Sequence, residues 1–99
     1  MIDLGKIVGF QWDDGDRRKS VDKHDVSPAE AESLFFNDPL IIVEDGKHSG
    51  SERRFNALGH TTGNRLLHVT FTLRLNETLI RVISARDMNR KERKIYEQA

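Results

Sequence analysis

From Arg65 to Leu75 the chain alternates: Leu67, Val69, Phe71, Leu73 and Leu75 share one parity, and His68, Thr70, Thr72 and Arg74 share the other. A period of two marks a half-buried strand. Arg54 to His60 and Leu79 to Ala85 also read as strands, joined to the first through the turn signal Thr62-Gly63-Asn64 and a tight Asn76-Glu77 link. Three consecutive strands with short links predict an antiparallel meander. Leu40 to Val43 is a continuous apolar run and predicts a buried strand, followed by a polar loop from Asp45 to Ser51. Ile7 to Trp12 predicts one more short strand.

Three segments carry helix signals. Ser27-Pro28-Ala29-Glu30 offers a capping serine, proline at the first helical position and a glutamate three residues after the serine. Ala31, Leu34 and Phe35 then form an apolar stripe, and Asn37-Asp38-Pro39 ends the helix. Asp13 and Asp14 can cap a helix running to about Lys23, with Val21 as its clearest inward residue. The last helix starts at Asn89 with Glu92 three positions on. Met88, Ile95 and Tyr96 would dock it, and Arg90, Arg93, Lys94 and Glu97 would form a mostly basic outer face. The order β-α-α-β-β-β-β-α describes an α+β chain with a mainly antiparallel sheet.

Composition narrows the chemistry. A chain of 99 residues is expected to form one domain, residues 1–99. It has no cysteine, which excludes disulfides and thiolate chemistry. No stretch reaches the roughly 20 apolar residues of a membrane span, and the N-terminus lacks a signal-peptide pattern, so a cytoplasmic protein is expected. The net charge of zero conceals a split. Residues 1–50 hold 6 Lys/Arg against 11 Asp/Glu, and residues 51–99 hold 10 against 5. Such asymmetry fits either a polyanion-binding half or two halves that neutralise each other on folding.

Arg54, Arg65, Arg74, Arg81 and Arg86 all lie on or beside the meander strands. Arginine holds phosphate with a planar, permanently charged fork, but it serves equally in structural pairs with Glu44, Glu52 and Glu77. Metal-free RNA cleavage needs a base for the 2′-hydroxyl, positive donors for the phosphorane and an acid for the leaving oxygen. Glu52 is a candidate base and also an ordinary surface carboxylate. His24, His48, His60 and His68 have no metal-ligand spacing; His60 and His68 lie near enough to the basic strands for proton transfer, whereas His24 suits a helix C-terminus. Strand parity groups Arg86 with Ser84 but Arg81 with Ile83 and Leu79, so the two arginines share a site only if a bulge or twist intervenes.

Several blocks occur in a particular order: Phe10-x-Trp12-Asp13, Lys23-His24-x-Val26-Ser27-x-x-Glu30-Ala31, Phe36-x-Asp38-Pro39-Leu40, Glu52-x-Arg54-Phe55-x-Ala57-Leu58-Gly59, Arg65-Leu66-Leu67-x-Val69-x-Phe71-Thr72, Arg81-x-Ile83-Ser84-Ala85-Arg86 and Arg90-x-Glu92-Arg93-x-x-Tyr96. In content and order they resemble the BrnT toxins of bacterial type II toxin–antitoxin systems. The resemblance implies a RelE-like fold and a metal-independent endoribonuclease, without cofactor, that halts translation and growth. It implies neutralisation by a BrnA-type ribbon-helix-helix antitoxin in a heteromeric complex that meets operator DNA only through the antitoxin. Carried over by position, Glu52, Arg54, Arg81 and Arg86 are the expected catalytic residues. Lys23, His24, Arg65, Arg90, Arg93, Lys94 and Tyr96 are expected to face RNA or the antitoxin. Three positions depart from the family pattern: Ser20 where asparagine is usual, Asp25 where glycine is usual, and Arg53 in an acidic pair. The Arg53 departure keeps open a second reading, a non-catalytic basic subunit of a toxin–antitoxin-like complex. A third is a generic small α+β domain with a solvated basic face.

Overall fold

A computed structural model describes residues 2–47 and 50–99; His48 and Ser49, part of the expected polar loop, lie outside the described residues. After a 3-10 turn at Leu4–Lys6, the elements are β1 (Gly9–Trp12), α1 (Asp14–His24), α2 (Pro28–Ser33) with a 3-10 extension at Leu34–Phe36, β2 (Ile41–Glu44), β3 (Arg54–His60), β4 (Leu66–Arg74), β5 (Leu79–Asp87) and α3 (Arg90–Glu97). The expected order is therefore observed. The five strands form one sheet in the order β1-β5-β4-β3-β2, antiparallel except where β1 runs parallel to β5.

One face of the sheet carries the main core. Phe55 and Ala57 of β3, Leu67, Val69 and Phe71 of β4, and Ile80, Val82 and Ala85 of β5 pack against Ala31, Leu34 and Phe35. The short α2 is held locally: Ser27 Oγ accepts from Glu30 N, and the Glu30 carboxylate accepts from Ser27 N. Gly59 lets this helical segment approach β3, since a Cβ there would lie 2.8 Å from Leu34 Cγ. A smaller cluster on the other face, Leu58, Met88 and Tyr96 with Ile41 and Leu66, seats α3 over one end of the sheet.

Four expected inward residues turn out differently. The run expected to be a buried strand is β2, at the edge of the sheet, and its Val43 is 59% exposed. Val21 is 43% exposed, while its neighbour Ser20 is buried. The pairing of β1 with β5 ends at Trp12 and Val82, so further along β5 the edge needs another partner. Ser20 Oγ supplies it by accepting from Ala85 N at 3.2 Å. Ile95 is exposed because Tyr96 docks α3 instead. The Tyr96 hydroxyl donates to Pro39 O at 2.6 Å and lies 2.8 Å from His60 Nδ1. Leu75 is exposed because it leaves the strand: Leu75, Asn76 and Glu77 all take left-handed backbone in the β4–β5 turn.

Asp25, at the end of α1, also has a left-handed backbone, with φ 53° and ψ 40°. A residue with a Cβ pays for this conformation, and glycine does not. Asp25→Gly should therefore raise stability by about 0.5–1 kcal/mol. Urea unfolding would show the gain as a higher midpoint at unchanged slope, and a lower midpoint would refute it.

Candidate active site

The arrangement of the arginines depends on one irregularity. Thr70 pairs with Ser84, but Phe71 pairs with Val82, so Ile83 of β5 has no partner on β4. This bulge resets the strand's parity. Without it, Arg81 and Arg86 would point to opposite faces. With it, cross-strand partners form three rows on the face opposite the main core: Arg54–Thr72–Arg81, Asn56–Thr70–Ser84 and Leu58–His68–Arg86. α1 borders this face through Asp16 and Lys19, and α3 borders it through Glu92.

Two adjoining clefts lie on this face. The first, about 350 Å³, is lined by Asp16, Glu52, Arg54, Thr72, Arg74, Arg81 and Ile83. The second, about 370 Å³, is lined by Lys19, Asp45, Arg54, Asn56, His68, Thr70, Ile83, Ser84 and Arg86. Arg54 and Ile83 border both. A larger cleft of about 430 Å³ opens on the opposite face, among Ile2, Leu4, Phe35, Leu40, Ile42 and Phe55. Its lining is mainly apolar, with Asp38, Glu44 and Arg53 among its charged residues, and it lacks the convergent arginines of the first two.

In the second cleft, Arg86 grips Glu92 with both ends of its fork, Nη1 to Oε1 at 2.8 Å and Nη2 to Oε2 at 2.9 Å. Nη1 also donates to Asp87 O at 3.1 Å. Three of arginine's five N–H donors are thus engaged. The Arg86 hydrogen bonds hold the Glu92 carboxyl below its usual range, helped by the Asn89 backbone N–H. His68 Nε2 lies 3.8 Å from Glu92 Oε2, and His68 Nδ1 is buried with no partner among the described residues. Burial, followed by the Arg86 charge, lowers the His68 pKa, with Glu92 opposing. The imidazole is therefore neutral at pH 7.

In the first cleft, Arg74 Nη2 donates to Glu52 Oε1 at 3.0 Å, while its Nε lies 2.7 Å from Oε2 but off the hydrogen-bond direction. Arg81 Nη2 donates to Asp13 Oδ2 at 3.3 Å. Thr72, only 3% exposed, has a buried hydroxyl without a partner among the described residues.

The structure thus gathers Glu52, Arg54, Arg81 and Arg86 along one face, divided between two clefts. It places the other candidates elsewhere. The Arg65 guanidinium makes five hydrogen bonds within the fold: two to Asp87, one to Glu30 and two to the carbonyls of His24 and Asp25. Lys23 is exposed on the last turn of α1, one turn beyond the cleft-lining Lys19. Arg90, Arg93 and Lys94 are exposed on α3, and Tyr96 is buried beneath it. Arg53 points away from these two clefts and lines the larger one on the opposite face; it pairs with Glu44 at 2.7 Å and lies over the Phe55 ring. Sequence reasoning passed over Lys19, Asn56, Thr72 and Glu92 as site residues. The alternation along β3 and β4 could have pointed to Asn56 and Thr72.

The family described as the ribonuclease toxin, BrnT, of type II toxin–antitoxin systems matches residues 12–92. The chain belongs to the BrnT family. A crystal structure at 1.1 Å of the Brucella abortus ribonuclease toxin BrnT has the same fold, with a TM-score of 0.63 and 21% sequence identity over 84% of this chain and 99% of that one. No curated protein matches the chain. Membership in the BrnT family makes the chain a type II toxin–antitoxin component with an antitoxin as cognate partner. The matched region spans both clefts and ends at Glu92, which grips Arg86. Among the described residues, no helix is long and apolar enough to cross a membrane.

Proposed function

We propose that this BrnT-family chain cuts RNA in the cleft of Arg86 and His68, without a metal ion, and halts growth until a BrnA-type ribbon-helix-helix antitoxin covers it. The observation that carries this reading is the Ile83 bulge, which puts Arg54, Arg81 and Arg86 on one face beside a neutral histidine. His68 takes the 2′-hydroxyl proton. The 2′-oxygen then attacks phosphorus, Arg86 holds the phosphorane oxygens, and the 5′-oxygen takes a proton from solvent and departs as a hydroxyl, leaving a 2′,3′-cyclic phosphate. Glu52, the other candidate base, is paired with Arg74 in the neighbouring cleft. RNA and antitoxin meet the protein in the cytoplasm. Arg53 faces away from this chemistry, so its departure from the family pattern gives the non-catalytic reading no support at the site.

Purified protein should cleave single-stranded RNA in excess chelator, and expression without antitoxin should arrest a bacterial host. Intact RNA at high protein concentration together with normal growth would overturn the reading. His68→Asn should lower kcat by about 10²–10⁴-fold. A base must be deprotonated, and the His68 pKa is shifted down, so wild-type activity should rise with pH below 6.5 and level off above it. The variant should lack that acidic limb.

A further inference from the structure

We propose that the cleft of Arg54, Thr72, Arg74 and Arg81 is a flanking subsite that binds a second backbone phosphate of single-stranded RNA, apart from the phosphate that reacts. This inference rests on the cleavage reading only for which cleft does the cutting.

Register sets the distance. Arg86 stands opposite His68 and Arg81 opposite Thr72, four residues along β4. At ~3.4 Å per strand residue, the two rows are about 14 Å apart. Arg81, held by Asp13, lines only the first cleft, and Arg86, held by Glu92, lines only the second, so a strand that engages both as they stand lies along β4 and places different phosphates in the two clefts. Ile83 and Arg54 border both clefts, and the polar row Asn56–Thr70–Ser84 lies between them.

The chemistry of the first cleft suits a phosphodiester. The buried Thr72 hydroxyl lines it and has no partner among the described residues, which is costly unless a ligand accepts from it. Arg74 and Arg81 are paired with Glu52 and Asp13, whose side chains are 45% and 51% exposed. Pairs this open to water are weak and can exchange for a phosphate oxygen. No Phe, Tyr or Trp lines either cleft. The subsite therefore reads backbone charge rather than base identity, since stacking platforms are missing.

Binding of uncleavable 2′-O-methyl RNA to the full chain tests this. The probes are a dinucleotide with one phosphate and a hexanucleotide. Arg81→Gln should lower the ratio of hexanucleotide to dinucleotide affinity about tenfold and reduce the salt slope of hexanucleotide binding by about one. Thr72→Val, which keeps size and charge, should lower the ratio less but in the same direction. Arg86→Gln should weaken both probes together. A ratio unaltered by both Arg81→Gln and Thr72→Val, with melting temperatures preserved, would overturn the subsite; weakened antitoxin binding in the same variants would then assign the cleft to the antitoxin. Wild-type protein that binds the hexanucleotide but leaves natural RNA intact would overturn the cleavage reading and leave the subsite standing.

Discussion

Arg86→Ala should lower kcat for RNA cleavage by about 10²–10³-fold, with a smaller change in KM. The guanidinium is a prearranged donor. Glu92 holds one side of it, and Glu92 is itself fixed by accepting from Asn89 N at the start of α3. Two N–H donors remain for the phosphorane, whose charge exceeds that of the bound diester, so the loss falls mainly on kcat. Arg86→Lys should not restore the rate, because an ammonium cannot bind Glu92 and phosphate with one planar fork. Glu92→Gln should lower kcat less, by about tenfold, since it loosens Arg86 without removing it. Single-turnover cleavage with each variant, alongside circular dichroism, separates chemistry from folding. A folded Arg86→Ala protein with kcat within threefold of wild type would exclude Arg86 from the reaction.

Several of these roles were readable in the sequence because their causes are local. Ser27 and Glu30 form their capping box within four residues, and Asn89 and Glu92 do the same. The alternation along β4 correctly separates Leu67, Val69 and Phe71 from His68, Thr70 and Thr72. Other roles depend on contacts between distant segments. The bulge at Ile83 follows from pairing across the sheet, so strand parity alone left Arg81 and Arg86 on opposite faces. Ser20 is inward because the exposed edge of β5 needs an acceptor, a demand invisible to a search for apolar residues along α1. Lys19 reaches the second cleft only because α1 lies beside that same edge. Glu92 was legible as a cap, yet its grip on Arg86 spans a strand end and a helix start. The charge split has two causes in the structure. Arg53–Glu44, Arg65–Glu30 and Arg81–Asp13 join the acidic half to the basic half, and Arg54, Arg81 and Arg86 line the clefts.

Arg65→Met should destabilise the fold by about 2–3 kcal/mol, a large share of the 5–15 kcal/mol typical of a small domain. The side chain ties three elements together. It holds Asp87 at the end of β5 through bonds of 2.8 and 3.1 Å, Glu30 of α2 at 3.3 Å, and the carbonyls of His24 and Asp25 at the C-terminus of α1 at 3.0 and 2.6 Å. Methionine keeps much of the packing but leaves these acceptors to water. For a domain of this size the melting temperature should fall by about 10–20 °C. The acid dependence should change as well. Arg65's hydrogen bonds hold the Asp87 carboxyl below its usual value, and Glu30 is lowered first by the Ser27 backbone N–H and then by Arg65. Carboxyl groups depressed in the folded state stabilise it above their unfolded pKa values, near 4, and that stability is lost as pH falls through the folded values. Wild type should therefore lose stability below about pH 4 more steeply than Arg65→Met, which has already lost the Asp87 contribution and part of that from Glu30. Parallel acid-unfolding curves would separate Arg65 from Asp87 energetically. A variant as stable as wild type, but weakened in RNA or antitoxin binding, would instead make Arg65 a contact residue.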